Sequence, residues 1–488
     1  MQVHAGCLVG IDAHPVVVEA RIAPGLPNFE LVGLPERGVR ESRVRVKSAI
    51  GAQGYEVPKR NVVVNLAPGD LRKSGTSFDL AIAIAILGTA GLLEEDGVKE
   101  TLVLGELALG GTLRPIRGVL PQLRSAKERG LRRAVVPRGN EAEASLVDGI
   151  EIHLACSLRE VVDFLDDTAR LPSPSSAPLP PRTSPHDLID VRGQESARRA
   201  LEIAAAGNHH LLLVGPPGAG KTMLAKRLPG LLPTPSNDEA LEVATIASAA
   251  GLAPKVARPF RAPHHTASAA AMVGGGDPVQ PGEVTLAHRG VLFLDELPEF
   301  RRDVIETLRT TMESGEIAIA RARQRVRLPA APLVVAAMNP CPCGYAGDDE
   351  RLCVCGPDRV DRYMARISGP LLDRFDLHVR VPRVPTKDIR VADHQEASET
   401  VRRRVQDAKR FRAQRPPPRN LDELLEGVDE DALSLLDQAI DALKLSARAY
   451  AKSLRVARTI ADLEAESRVA ARHVAEAVQY RQFDRRRG

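Results

Sequence analysis

Eight residues, Gly215-Pro-Pro-Gly-Ala-Gly-Lys221-Thr222, constrain this chain more than any other feature. They fit G-x-x-x-x-G-K-[ST], follow the apolar run His210-Leu-Leu-Leu-Val214, and lead into an apolar helical stretch at 223–232. Strand, glycine loop and helix in that order cradle phosphate, because glycines let backbone N–H groups turn toward an anion at a helix N-terminus. The loop Gly215, Pro216, Pro217, Gly218, Ala219, Gly220, Lys221 and Thr222 is therefore expected to wrap the phosphates of ATP. Lys221 would face the β- and γ-phosphates, and the Thr222 hydroxyl would face Mg²⁺.

A second signature is Val291-Leu-Phe-Leu-Asp295-Glu296, four apolar residues ending in two carboxylates. A buried strand there would deliver Asp295 to the Mg²⁺ shell and Glu296 to a water beside the γ-phosphate. The competing reading is a chance glycine turn and a surface acidic pair. Two independent motifs in this order weigh against it. ATP binding and hydrolysis are expected.

Bulk composition narrows the setting. Lys and Arg number 67 against 63 Asp and Glu, a net charge of +4 over 488 residues, so any nucleic-acid footprint must be local. Aromatics make up 3% with no Trp, which argues against base-stacking platforms. The first ten residues lack a basic, then apolar, leader pattern, and the longest apolar stretch, 80–93, is too short to span a bilayer. Four of six cysteines crowd into 341–355, unlike an oxidised framework. A cytoplasmic protein with no membrane segment is expected.

The Pro/Ser-rich stretch 171–185 reads as an extended linker. The expected organisation is an N-terminal module over 1–168, a linker over 169–185, an ATP-binding core over 186–385 and a helical region over 386–488. In the first module, 16–22, 61–66 and 101–104 look like strands, and 36–53 and 77–87 like helices, giving an α/β unit. In the core, strands at 211–214, 291–294 and 333–337 between helical segments imply a parallel sheet. Helical spacing returns at 429–443, 447–464 and 470–481, with Pro416-Pro-Pro418 isolating the region's first helix.

Three further segments carry a resemblance: Val334-Val-Ala-Ala-Met-Asn339-Pro340, Gly369-Pro-Leu-Leu-Asp-Arg374-Phe-Asp376 and Ser453-Leu-Arg455-Val-Ala-Arg458. With the two motifs above they resemble AAA+ ATPases of the magnesium-chelatase/MCM branch. Arg258-Pro-Phe-Arg-Ala-Pro-His264-His265-Thr266, Gly274-Gly-Gly276 and the segment 281–290 narrow this to the YifB/ComM family. The resemblance implies a P-loop parallel-sheet core with a C-terminal helical lid. It implies that Asn339 is sensor 1, orienting the attacking water with Glu296. It makes Arg374 an arginine finger for the neighbouring subunit's ATP, Arg455 the sensor 2 arginine, and a homo-hexamer the assembly. Arginine's planar fork suits phosphate oxygens, so the residue types fit these roles.

The N-terminal module resembles the proteolytic domain of Lon. Ser77, in Lys73-Ser-Gly-Thr-Ser77-Phe-Asp-Leu, falls on the nucleophile position, and 105–118 matches the strand and turn before the catalytic lysine. Leu120 stands where that lysine would be. A serine needs an adjacent base, and none is evident, although Lys73 and Arg117 are near in sequence. A protease fold without proteolysis is expected, serving ring assembly or DNA contact.

Cys341-Pro-Cys343 and Cys353-Val-Cys355 flank a nine-residue loop. Four thiolates could close a tetrahedral structural Zn²⁺ site; the alternative is four reduced cysteines in a tight loop. Next, 316–328 alternates as a β-hairpin bearing Arg321, Arg323, Arg325 and Arg327. In the related helicase rings this hairpin grips the nucleic-acid backbone in the central pore. Here it would contact DNA without reading sequence, or form a solvated edge that blocks aggregation. The roles of His264 and His265, in a substrate-engaging loop or in local hydrogen bonds, stay open.

The leading expectation is a hexameric ATP-driven motor on single-stranded or branched DNA, a helicase promoting branch migration in natural transformation, as the resemblance implies. The alternatives are a protein-remodelling ATPase of magnesium-chelatase type and an ATP-dependent protease. Arginines rather than an aromatic on the hairpin favour the first, and Leu120 weighs against the last.

Overall fold

A computed structural model of the chain describes residues 1–175, 185–321, 324–348, 350–385 and 396–481. The N-terminal module is a seven-stranded mixed sheet. Its strands run in the spatial order Asn28–Val32, Asn61–Ala67, Asp12–Ala23, Gln2–Val9, Thr101–Val103, Arg133–Pro137 and Glu151–Ala155. Asn61–Ala67 alternates as the sequence suggests, burying Val62, Val64 and Leu66. The helix Asp79–Thr89 is apolar on every face and accordingly lies inside, with residues 79–87 all buried. Each such Ile or Leu contributes about 1.5–3 kcal/mol by leaving water.

The core sheet is wholly parallel, in the order Phe260–Arg261, Val291–Leu294, Leu333–Met338, Leu211–Val214 and Leu377–Arg380. Its three central strands are buried throughout, which is why they read as unbroken apolar runs. Register aligns their carboxyl ends: Val214 sits opposite Met338, and Leu294 opposite Ala336. The residues that follow, 215–222, 295–296 and 339, therefore emerge along one edge. Ligands of open α/β sheets collect at such an edge.

The helices Ser398–Arg412, Glu430–Leu443, Ala447–Leu463 and Ala471–Gln479 form the C-terminal region. They share one apolar cluster with the core, Val405, Leu436, Leu454 and Ile460 meeting Leu201 and Leu224. The structure differs from the sequence reading at the linker. Leu171 packs on the N-terminal cluster, Pro172 O accepts from Leu154 N–H at 2.8 Å, and Ser175 bonds Glu141. The chain thus follows the N-terminal sheet to residue 175. The rest of the expected linker, 176–184, lies outside the described residues, as do 386–395 and the Arg485–Arg487 tail.

Candidate nucleotide site

The glycine loop joins the strand Leu211–Val214 to the helix Lys221–Leu231. Gly218 and Gly220 have φ of +77° and +85°, a left-handed backbone that opens the loop. Gly215 passes so close to the neighbouring strand's exit that a Cβ would meet Val381 O at 2.1 Å. Lys221 is buried, and its ammonium donates to Gly215 O at 2.6 Å, Pro216 O at 2.9 Å and Asn339 Oδ1 at 3.1 Å. Burial pushes this ammonium below its ordinary range, while Asp295 and Glu296 pull the other way. A cation held by two carbonyls and one amide oxygen is well placed to exchange them for phosphate oxygens.

Thr222 Oγ1 donates to Asp295 Oδ2 at 2.8 Å. The two oxygens are hard donors within one coordination radius of a shared point, a set that suits Mg²⁺. Glu296 adopts φ +54°, rare for a residue with a Cβ, and its side chain is 56% exposed at the sheet edge. Strain of this kind persists where surrounding structure imposes it, commonly at functional sites. His265 Nδ1 lies 3.5 Å from Glu296 Oε2, and the His265 ring meets Phe300 edge-on. His264 hydrogen-bonds Thr266 locally at 2.9 Å. Of the two alternatives the sequence leaves open, His264 makes the local bond; the His265 contact joins residues thirty-one apart, which no local pattern announces.

Lys221, Thr222, Asp295, Asn339, Glu296 and His265 thus converge at one edge. The two arginines lie outside that cluster. Arg374 is buried, its guanidinium donating to Pro370 O at 3.0 Å and paired with Glu313. Arg455 is exposed on the helix Ala447–Leu463.

The arginine hairpin forms as expected, Glu316–Arg321 pairing antiparallel with Gln324–Pro329. Its apolar face is not free: Ile317, Val326 and Leu328 are buried, and Val9 and Ile11 of the N-terminal module pack against them. Arg325 and Arg327 are exposed. Arg325 lines a cleft of about 1080 Å³ of mixed charge, with Arg40, Arg72, Glu36 and Asp70 of the N-terminal module and with Asp277, which pairs with Arg72 at 3.1 Å. Arg323 and the side chain of Arg321 lie outside the described residues.

In the N-terminal module, Leu120 is fully buried, and Lys73 donates to Pro68 O rather than to Ser77. The helix Val119–Glu128 instead packs on the core helix Asn237–Ala249. The Gly118 amide donates to Ser248 O at 2.9 Å, and the Leu120 amide reaches both Ser248 Oγ and Glu143 Oε2 at 3.3 Å. No helix among the described residues is long and apolar enough to cross a membrane.

The fold and the edge cluster define a magnesium-chelatase-like AAA+ protein, and comparison with known sequences agrees. The chain matches the families described as Magnesium chelatase, subunit ChlI, over residues 187–389, Subunit ChlI of Mg-chelatase over 18–140, and Magnesium chelatase, subunit ChlI C-terminal, over 395–481. It is 44% identical over 497 residues to the uncharacterized protein YifB of Escherichia coli, covering 99% of this chain and 97% of that one. It is 43% identical over 497 residues to the competence protein ComM of Haemophilus influenzae, covering 98% and 97%. The chain belongs to the YifB/ComM family. Its N-terminal part is similar to Lon protease 2 of Bacillus subtilis, 28% identical over 146 residues that span 28% of this chain and 26% of that one.

Proposed function

We propose that the chain is an ATP-hydrolysing motor that acts on DNA as a ring of identical subunits, promoting branch migration during uptake of single-stranded DNA. The observation that carries the ATPase reading is the meeting of Lys221, Asn339, Thr222 and Asp295 at one sheet edge. ATP phosphates would take the Lys221 ammonium from its carbonyl partners, and Thr222 with Asp295 would hold the accompanying Mg²⁺. Glu296 would accept a proton from the attacking water, Asn339 would orient that water, and Arg455 would have to reach in from the lid. Arg374 would have to leave Glu313 to reach a neighbour's γ-phosphate, so ring contact and hydrolysis would be coupled through that exchange. A structural Zn²⁺ on Cys341, Cys343, Cys353 and Cys355 would complete the cofactors.

The DNA reading is supported by exposed Arg325 and Arg327 and by the relative named a competence protein. Backbone contacts of this type carry no sequence information. The decisive experiment is ATP turnover by the full chain with and without single-stranded, duplex and branched DNA. Stimulation by DNA supports the motor. Turnover indifferent to every DNA, but raised by a protein partner, would favour the remodelling alternative.

A further inference from the structure

The segment 341–355 is built inside out. Leu352 and Val354 are 92% and 82% exposed, while Cys341 is fully buried and Cys343, Cys353 and Cys355 are half-buried. Hydrophobic burial cannot be what shapes such a loop, since its apolar groups face water and its interior is sulfur. The four Sγ atoms all lie within 4.8 Å of one another. Cys341–Cys343, Cys343–Cys353 and Cys341–Cys353 are separated by 3.3, 3.5 and 3.6 Å. Four sulfurs about 2.3 Å from one Zn²⁺ sit roughly 3.8 Å apart, so Cys341, Cys343 and Cys353 need only slight expansion to take a metal. Backbone amides already point at the sulfurs: Ala346 N–H at Cys341 Sγ, 3.3 Å, and Cys355 N–H at Cys353 Sγ, 3.4 Å. Backbone donors of this kind are the outer-shell partners that metal-bound sulfurs commonly have.

The loop's position gives the site a task. It leaves the sensor strand directly after Asn339 and folds over the phosphate loop. Gly344 lies so near Pro217 that a Cβ there would meet Pro217 Cδ at 2.5 Å. On the other side Arg380, the last residue of the strand Leu377–Arg380, donates to Gly347 O. Arg383 pairs with Asp348 at 3.5 Å and lies 5.4 Å over the Tyr345 ring.

We propose that Cys341, Cys343, Cys353 and Cys355 form a four-thiolate Zn²⁺ site that braces the phosphate loop, so that metal loading sets the grip on nucleotide. Four protein ligands leave no open position, so the ion is structural. Metal binding and closure of the sulfur cluster would be coupled, because thiols alone hold one another only weakly. The bracing part rests on the nucleotide reading; the metal site does not.

The test counts zinc in the purified full-length chain, then replaces it with Co²⁺ to look for thiolate-to-metal charge-transfer absorption. Affinity for a fluorescent ADP is measured as isolated, after chelation, and after Zn²⁺ is returned, with far-UV circular dichroism at each stage. About one ion per chain is expected, lost in Cys343→Ser/Cys353→Ser, with ADP affinity falling about tenfold on chelation and recovering with Zn²⁺ at unchanged helix content. A chain without bound zinc and without a cobalt–thiolate band overturns the site. A loaded site whose emptying leaves ADP affinity unaltered overturns the brace. Zinc bound stoichiometrically in a chain that takes no ADP in either state overturns the nucleotide reading, and the brace with it, while the metal site stands.

Discussion

His265 Nδ1 stands 3.5 Å from Glu296 Oε2, on the segment that follows the edge strand Phe260–Arg261. Glu296 is exposed and conformationally strained, so under the proposed mechanism a neighbour that fixes its carboxylate would govern how well it meets a water. His265→Ala is expected to lower ATP turnover about tenfold, a fraction of a full general-base contribution, with the KM for ATP little changed. Steady-state kinetics beside ADP binding checks this. Weakened ADP binding with normal turnover would remove His265 from the role.

The core assignments separate by phenotype. Glu296→Gln should cut turnover by about 100-fold or more while ATP still binds, because a carboxamide cannot take the proton. Lys221→Ala should lose binding itself, since the buried cation at the phosphates is gone. Full turnover in purified Glu296→Gln would refute the assignment.

Replacing Arg325 and Arg327 together with Ala should weaken DNA binding and reduce its dependence on log salt by about one per arginine that touches phosphate. Titrations at several salt concentrations read this directly; adding Arg321→Ala and Arg323→Ala should flatten it further. Arg327 lies 3.7 Å from Glu316, so part of its charge is already countered and Arg325 should dominate. An unaltered slope places the DNA contact elsewhere.

Acid should unfold this chain by stages. Burial pushes His209 and His210 down to about 4, against the pull of nearby Asp376, and pushes His378 down to about 3. His210 Nδ1 accepts the Val334 amide at 3.1 Å, a bond that ends on protonation of that nitrogen. The folded chain resists protons that unfolded histidines accept near 6.5, so this stability is complete above that pH and lost as pH falls toward 4. Each histidine then costs about 2 kcal/mol by pH 5. Burial raises the Asp376 carboxyl, yet Lys452 at 2.7 Å and the two histidines hold it at about 2. Its contribution is present above the ordinary aspartate value and is lost only as pH falls toward 2. Thermal melts from pH 8 to 4 should drop first below about 6.5, and His378→Asn should flatten that drop.

The phosphate-loop edge was legible because its parts are contiguous runs: strand 211–214 followed by its glycines, strand 291–294 by its carboxylates, and strand 333–338 by Asn339. Buried parallel strands announce themselves as apolar blocks. Gln2–Val9 did not, since Gly6 interrupts its pattern where Gln122 packs against the strand. Asn28–Val32 carries exposed residues on alternate positions of an edge and reads as a loop. The inward turn of Arg374 was equally hidden, because Glu313 lies sixty-one residues away. The arginine hairpin was visible, but not its apolar attachment to Val9 and Ile11, which belongs to another domain.

The Leu120 amide donates to Ser248 Oγ across the seam between the two domains, and the Ser248 hydroxyl donates back across it to Glu143 of the N-terminal module. The position where the Lon resemblance places a lysine is thus taken up by the join between the modules. A tilt of Asn237–Ala249 would pass through these bonds to Val119–Glu128 and the N-terminal sheet behind it.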